Sequence, residues 1–291
     1  MSIPPVHTAS GEPPTSSLYL IGSIGIVRFS TVEELPKRTL GGAGFNIGVA
    51  AAANHVRPSI ITTVSESDAK LLAELPLDTI CDTTYIKTSP RYRLTFNYKT
   101  RTEALSEPSQ LVEGFGYSVL NQHIRTCLSR TGWYHISCRD PLCPKSFIEK
   151  LKANSRNRIS IDFTFSSIAK QFHAICPLIQ YVDLIFLNEP EYELIRNKLS
   201  HIRYKGIIIV TRREHSAQAW YRGLRILDVK TAWTEPVDPS GAGDCFTGAF
   251  LASISRGKTL ADAMVSGHRT ARKSLSNIGV EALLQERESL N

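Results

Sequence analysis

Apolar positions along the chain fall into two alternating rhythms. Short runs of apolar or β-branched residues recur at Leu18–Ile21, Ser59–Val64, Trp133–Ser137, Ile159–Phe163, Leu184–Leu187 and Gly206–Thr211. Their length and character suit strands buried on both faces. Between them lie segments with helical spacing. Phe45 to Ala53 reads as a helix opened by a glycine turn, and Phe246, Ala249, Phe250 and Ile254 recur at i, i+3, i+4 and i+8. Thr259-Leu-Ala-Asp262 is a capping-box-like start for a last long helix, whose inner face carries Leu260, Ala263, Met264 and Gly267. Strands and helices in alternation predict an α/β fold with a largely parallel sheet and helices on both faces.

Residues 83–99 break this rhythm. Thr84-Tyr-Ile86 and Arg91 to Tyr98 alternate polar with aromatic or aliphatic residues, the period of a half-exposed antiparallel strand. With Ile26 to Leu40 they predict a small sheet that covers a site. Tyr92, Phe96 and Tyr98 have two readings, as one face of that sheet or as rings that stack on a base or sugar. The expected organisation is a disordered leader over 1–16, a core of 17–25, 41–80 and 115–285, a discontinuous small β unit of 26–40 and 81–114, and a tail over 286–291.

Composition narrows the class. A balance of 42% hydrophobic and 21% charged residues is that of an ordinary globular chain. No apolar run reaches the ~18 residues a membrane span needs, and Met1 to Ser17 lacks the basic-then-apolar pattern of a signal peptide. The six cysteines have no C-x-x-C spacing, which fits free thiols in a reducing compartment, hence a cytoplasmic location, and argues against a zinc site. The net charge of +7 comes in small groups such as Arg212-Arg213 and Arg269 to Lys273. That scatter favours an anionic small molecule over nucleic acid.

The segment with the strongest chemical signal is Asp238-Pro-Ser-Gly-Ala-Gly-Asp244, which runs directly into the helical stripe beginning at Phe246. It sets a glycine-rich turn at a helix N-terminus, where the first backbone N–H groups lack intrahelical partners and the macrodipole is positive. An anion is favoured there, and Gly241 and Gly243 let the backbone approach it closely. Asp244 has two readings. It is an acid that favours the dipole, or a general base that takes a proton from an attacking hydroxyl while the amides hold the charge building on a transferred phosphate.

These residues resemble the D-T-x-G-A-G-D signature of the ribokinase-like (PfkB) carbohydrate and nucleoside kinase family, with Pro239 in place of the usual Thr. Gly41-Gly-Ala-Gly-Phe-Asn46 is similar to the family's N-terminal G-G-x-G-x-N signature, and Leu187-Asn188-Glu-Pro-Glu191 to its N-x-x-E motif. Ser276-Asn277-Ile-Gly279 lies where the family places the end of its adenine-binding region. The signatures come in the family's order, and the resemblance covers nearly all of the chain after about Ser17.

The resemblance implies a three-layer α/β/α core, a mostly parallel sheet and a small β-sheet lid. ATP and Mg2+ are the implied cofactors, and a hydroxyl of a sugar, sugar derivative or nucleoside the implied acceptor. Asp244 is then the catalytic base, and Gly241, Ala242 and Gly243 form the anion hole. Gly41, Gly42 and Asn46 hold the acceptor. Asn188 and Glu191 place the magnesium through water, with Asn188, Thr211 and Asn277 on the nucleotide side. Asp162, at the end of the Ile159–Ile161 strand, either lies beside the substrate and phosphates or caps a loop. Asn188 and Glu191 read locally as a turn residue and a first-turn helix acid. Sites in such sheets lie at the carboxyl ends of the strands, where Gly41, Asp162, Asn188 and Asp244 are expected to converge. An exposed lid face often finds a partner in this family, which makes a homodimer through the lid the assembly to look for. Neither a membrane nor a nucleic-acid partner is expected.

Two departures from the family pattern matter. The family usually carries an Asp about five residues after the glycine of its first strand, and counting from Gly22 this chain has Val27. After Ile207–Thr211 the family shows a G-x-x-G turn, whereas this chain reads Arg212-Arg-Glu-His-Ser216. Either Arg212 and Arg213 contact the phosphates, as bidentate guanidinium groups can, or ATP binds weakly and differently. These departures support a second reading, a catalytically degenerate small-molecule-binding protein on the same fold. A third, a dinucleotide-binding turn at Gly42-Ala-Gly44-Phe-Asn-Ile-Gly48 with Glu66 on the ribose, lacks the buried strand that must precede it, because Glu33 to Arg38 is polar. His135 and His173, within apolar segments, are expected in the core.

Overall fold

The β-branched runs form strands and the amphipathic segments pack over them. The computed structural model describes residues 17–29, 37–65, 81–88, 94–95, 110–111, 130–138, 145–213, 215–232, 234–277, 279–280 and 283. The leader 1–16, Glu66, Tyr92, Phe96, Tyr98, Cys127, Cys143 and the tail 286–291 lie outside the described residues. In chain order the elements are β1 (Leu18–Ile21), β2 (Gly25–Phe29), β3 (Lys37–Gly41), α1 (Ala43–Ala53), β4 (Ser59–Ser65), β5 (Asp82–Thr88), β6 (Leu94–Thr95), β7 (Gln110–Leu111) and β8 (Trp133–Cys138). There follow α2 (Lys145–Lys152), β9 (Arg158–Phe163), α3 (Phe165–Ile179), β10 (Leu184–Asn188), α4 (Glu189–His201), β11 (Ile207–Thr211), β12 (Ser216–Tyr221), β13 (Leu224–Lys230), α5 (Ala242–Ser255) and α6 (Leu260–Ser274).

Nine strands make one sheet in the order β13-β12-β11-β10-β9-β8-β1-β4-β5. Neighbours from β11 through to β5 run parallel, and β12 and β13 extend the edge antiparallel. Alternation along each strand divides the core in two. Leu18, Leu20, Trp133, Leu184, Phe186 and Ile209 face α1, α5 and α6. Tyr19, Ile21, Tyr134, Ile161, Leu187 and Ile208 face α2, α3 and α4. The expected three-layer α/β/α arrangement is therefore present, with a hydrophobic core on each side of the sheet.

Two antiparallel pairs stand apart from the large sheet: β2 with β3, in the register Gly25↔Gly41 to Phe29↔Lys37, and β6 with β7. β2 lies beside β6. The segment Thr84–Ile86 corrects the antiparallel reading. β5 pairs in parallel with β4 from Ser59↔Asp82 to Ser65↔Thr88 and forms the outer edge of the large sheet. Polar–apolar alternation does not encode the direction of the neighbouring strand; here the β4 pairing decides it.

His135 is fully buried, as expected, whereas His173 is exposed on α3. The buried face of α3 includes Ile168, Leu178 and Ile179. A residue five positions after Ile168 points about 140° away from it on a helix of 3.6 residues per turn. The apolar neighbourhood of His173 in sequence is thus not its neighbourhood in space.

His268 on α6 makes a testable electrostatic contact. Its Nε2 lies 3.1 Å from the Val229 carbonyl oxygen of β13, and its ring meets Phe246 edge-on. Burial lowers its pKa from the ordinary 6.5, partly offset by the Val229 hydrogen bond. The folded state therefore binds fewer protons at this site than the unfolded chain. The stability it contributes is complete above about pH 6.5 and is lost as pH falls through the lowered folded value. Urea unfolding at pH 7.5 and 5.5 is expected to show a larger loss on acidification for the wild type than for His268→Gln; equal losses would refute this assignment.

Candidate active site

The turn before α5 is built by backbone geometry. Gly241 is the N-cap, with φ +77° and ψ 1°, a left-handed conformation that L side chains resist. Its carbonyl accepts from Cys245 N–H at 2.8 Å and no side chain caps the helix. The leading amides start a helix whose positive end has no side-chain acceptor at its cap; Ala242 N–H donates to Pro239 O at 3.3 Å within the turn. Asp244 lies in this first turn and is partly buried.

Asp238 braces the turn from below. It is buried, with Oδ1 accepting from Ser240 N–H at 2.9 Å and Oδ2 from Gly279 N–H at 3.1 Å. Val237 N–H donates to the Leu275 carbonyl at 2.7 Å. One carboxylate thus ties the glycine turn to the chain that follows α6.

From the other half of the molecule comes α1. β3 ends at Gly41, Gly42 takes φ +97° as the N-cap, and Asn46 N–H donates to Gly42 O at 2.9 Å. Phe45 N–H donates to Ser23 O at 3.3 Å, which seats this helix start over the end of β1. Asn46 Nδ2 donates to Asp244 Oδ2 at 3.0 Å. Helices α1 and α5 must cross closely for this to happen, and Gly248 permits it: a Cβ there would lie 2.2 Å from the Ile47 carbonyl oxygen.

Farther along the same sheet edge, Asn188 ends β10 and caps α4. Its Oδ1 accepts from Glu191 N–H and Glu191 Oε2 accepts from Asn188 N–H, both at 2.9 Å, a complete capping box. Both local readings of these residues therefore hold. Thr211 is the register partner of Asn188, and its Oγ1 donates to Leu187 O at 3.4 Å. Arg212 carries its own counter-charge: Nε lies 2.7 Å from Glu189 Oε1, with both side chains part-exposed. The glycine-free turn closes through Arg212 N–H to Ser216 O at 2.8 Å, with exposed Arg213 at φ +48°.

Asp162 lies between these two ends on β9, buried, 3.9 Å from His135 Nε2. His135 Nδ1 contacts Ser160 Oγ at 3.0 Å, and Trp133 Nε1 donates to the same hydroxyl at 2.8 Å. Asn277 is exposed just after α6. Cys245, next to Asp244, is fully buried, and that burial pushes its thiol up to about 12. It is a packing residue with no thiolate to offer.

The fold therefore joins Asn46, in the helix that Gly41 and Gly42 lead into, directly to Asp244, and puts Asp162, Asn188 and Thr211 on the same edge of the parallel strands. From β1 to β10 this edge spans three strand spacings, roughly 14 Å. Sequence reasoning missed the bracing by Asp238, the crossing at Gly248 and the Glu189–Arg212 pair. Only Gly248 left a local signal, a lone glycine inside a helical stripe.

Comparison with known proteins gives the family and the fold. The sequence model described as pfkB family carbohydrate kinase matches residues 30–287. A cytidine kinase of Thermococcus kodakarensis is 28% identical over 160 residues, 50% of this chain and 56% of that protein. A fructoselysine 6-kinase of Shigella flexneri is 36% identical over 105 residues, 35% of this chain and 40% of that protein. The chain thus spans about half the length of these curated relatives. A solved E. coli structure described as a ribokinase II with ATP and Mg2+ superposes with a TM-score of 0.75 at 17% identity, covering 94% of this chain and 98% of that one. The fold is ribokinase-like, and with the family match running through nearly all of the described core, the chain belongs to the pfkB family of carbohydrate kinases.

Proposed function

We propose that this chain transfers the γ-phosphoryl group of ATP to an alcohol of a sugar, sugar derivative or nucleoside, with Asp244 as general base. The observation that carries this reading is the position of Asp244 in the first turn of α5, behind a left-handed Gly241, in direct contact with Asn46 of the other glycine signature. A carboxylate there can take the acceptor's proton, while the Gly241–Gly243 turn, in which Ala242 N–H exchanges its bond to Pro239 O for the anion, would hold the charge on the transferring group. Gly41, Gly42 and Asn46 hold the acceptor. The β2–β3 and β6–β7 pairs act as a lid that excludes water and so limits ATP hydrolysis.

The donor set suits ATP with Mg2+. The described residues contain no group of three acidic, His or Cys side chains able to hold a metal. Mg2+ commonly binds through substrate phosphates, water and one or two protein groups, so Asn188, exposed at the end of β10, with Glu191 bonded behind it, would orient it through water. Bound in that way, it would neutralise charge on the β- and γ-phosphates. Thr211, Arg212, Arg213, Asn188 and Asn277 form the nucleotide side, with Glu189 fixing the Arg212 guanidinium. Asp162 supports the substrate from the middle of the sheet edge. Cytidine kinase and fructoselysine 6-kinase among the relatives support a nucleoside or an aminated sugar as the acceptor class.

One observation favours the degenerate-binder reading: the tight turn at Arg212 to His215, where Arg212 is engaged by Glu189. The deciding experiment is Mg2+-dependent ADP release from ATP across pentoses, hexoses, aminated sugars and nucleosides. Acceptor-dependent release is expected with a subset of this panel. Folded protein that neither binds ATP nor releases ADP with any acceptor would sink the kinase reading in favour of the binder.

A further inference from the structure

We propose that Asn46 is a positioning residue for the Asp244 carboxylate, beyond any hold it has on the acceptor. This rests on the reading of Asp244 as the base. Asn46 Nδ2 donates to Asp244 Oδ2 at 3.0 Å, across 198 residues of chain. An ionised carboxylate has only acceptors, so the amide presents to it the one group that can bind; the opposite amide orientation would set two acceptors face to face. The same amide is packed against the anion-hole turn, because a Cβ on Gly241 would lie 2.5 Å from Nδ2. Asn46 therefore touches both parts of the transfer machinery, the turn and the carboxylate.

Three supports fix the backbone that carries this amide. Asn46 N–H is tied to Gly42 O, Phe45 N–H to Ser23 O, and the α1–α5 crossing leaves no room at Gly248 for a methyl group. A side chain held on this scaffold orients one carboxylate oxygen before any substrate arrives. It also favours the ionised form, the form a general base needs, since an N–H donor bonds a carboxylate more strongly than a carboxylic acid. The small β2–β3 hairpin leads through Gly41 and Gly42 into this first turn, so the segment that closes over the acceptor is also covalently linked to the residue that aims the base.

The two roles of Asn46 separate kinetically. A residue that only binds acceptor raises KM when truncated and leaves kcat unchanged. A positioning residue lowers kcat. For Asn46→Ala we expect kcat to fall roughly 10- to 100-fold, the loss of one hydrogen bond to a charged group, with the acid limb of the kcat–pH profile moved to higher pH. Asn46→Asp, which sets a second carboxylate against the first, is expected to move that limb further in the same direction. A readout free of turnover follows the Asp244 side-chain carboxyl by carbon-detected NMR in the labelled full-length protein, assigned by its disappearance in Asp244→Asn. Its titration is expected to move to higher pH in Asn46→Ala, with circular dichroism confirming the fold.

An unchanged carboxyl titration and unchanged kcat in Asn46→Ala would overturn the proposal and leave Asn46 an acceptor contact. Turnover retained by Asp244→Asn is a different failure, of the base assignment itself, and leaves the NMR comparison still decisive for the contact.

Discussion

Asp244→Asn is expected to lower kcat by about 100- to 10,000-fold, the range a positioned general base contributes, while leaving the protein folded. The substitution keeps volume and shape, and the new amide can still accept the Asn46 hydrogen bond through its oxygen. What it loses is a carboxylate able to take up a proton. The stability cost is small: a first-turn acid contributes about 0.3–1 kcal/mol through the helix dipole. Steady-state kinetics with the best acceptor, beside a thermal melt, separate the two effects. A variant that keeps wild-type turnover would leave Asp244 as only the dipole-favouring acid that its first-turn position also suits.

Gly248→Ala should produce the larger structural effect. On an exposed helix face alanine for glycine is favourable by roughly 1 kcal/mol. Here the new methyl group would lie 2.2 Å from the Ile47 carbonyl oxygen and 2.8 Å from the Ala50 Cβ. The obstructing oxygen belongs to helical backbone, so no side-chain rotation relieves the clash and α1 must move off α5. Overpacking of this kind costs about 1–3 kcal/mol or more, enough to outweigh the propensity gain. The movement also pulls Asn46 from Asp244, and displacements near 1 Å cost on the order of 100-fold in rate. We expect a lower urea midpoint together with reduced kcat. A Gly248→Ala protein as stable and as active as the wild type would show that the crossing is not constrained as drawn.

These two substitutions sit at opposite levels of legibility. The acid at a glycine-turned helix start was visible in the residue order alone, because a turn, a helix period and a first-turn carboxylate are all local. The contact that gives Gly248 its importance was not, since its partner on α1, Ile47, lies some 200 positions earlier in the chain. The same distinction explains β5. Its alternation was legible, but its pairing in parallel with β4 depended on which edge of the sheet was open. His173 shows it within a helix, where the sequence neighbours are apolar and the facing surface is solvent.

On its own, the sequence determined the α/β class, six of the parallel strands (β1, β4, β8, β9, β10 and β11) with helical segments between them, the family, and the identity of the glycine turns and acids that make up the candidate site. Each of these follows from period, turn chemistry and motif order, which act over a few residues. It did not give β12 and β13, or the place of β5 in the same sheet. Only the tertiary structure decided that Asn46 reaches Asp244, that Asp238 ties the anion turn to Gly279, and that Arg212 is paired with Glu189. Such contacts depend on how closely two backbones approach and which side chains then meet. That closeness is set by packing across the whole sheet, a property that no local stretch of the chain contains.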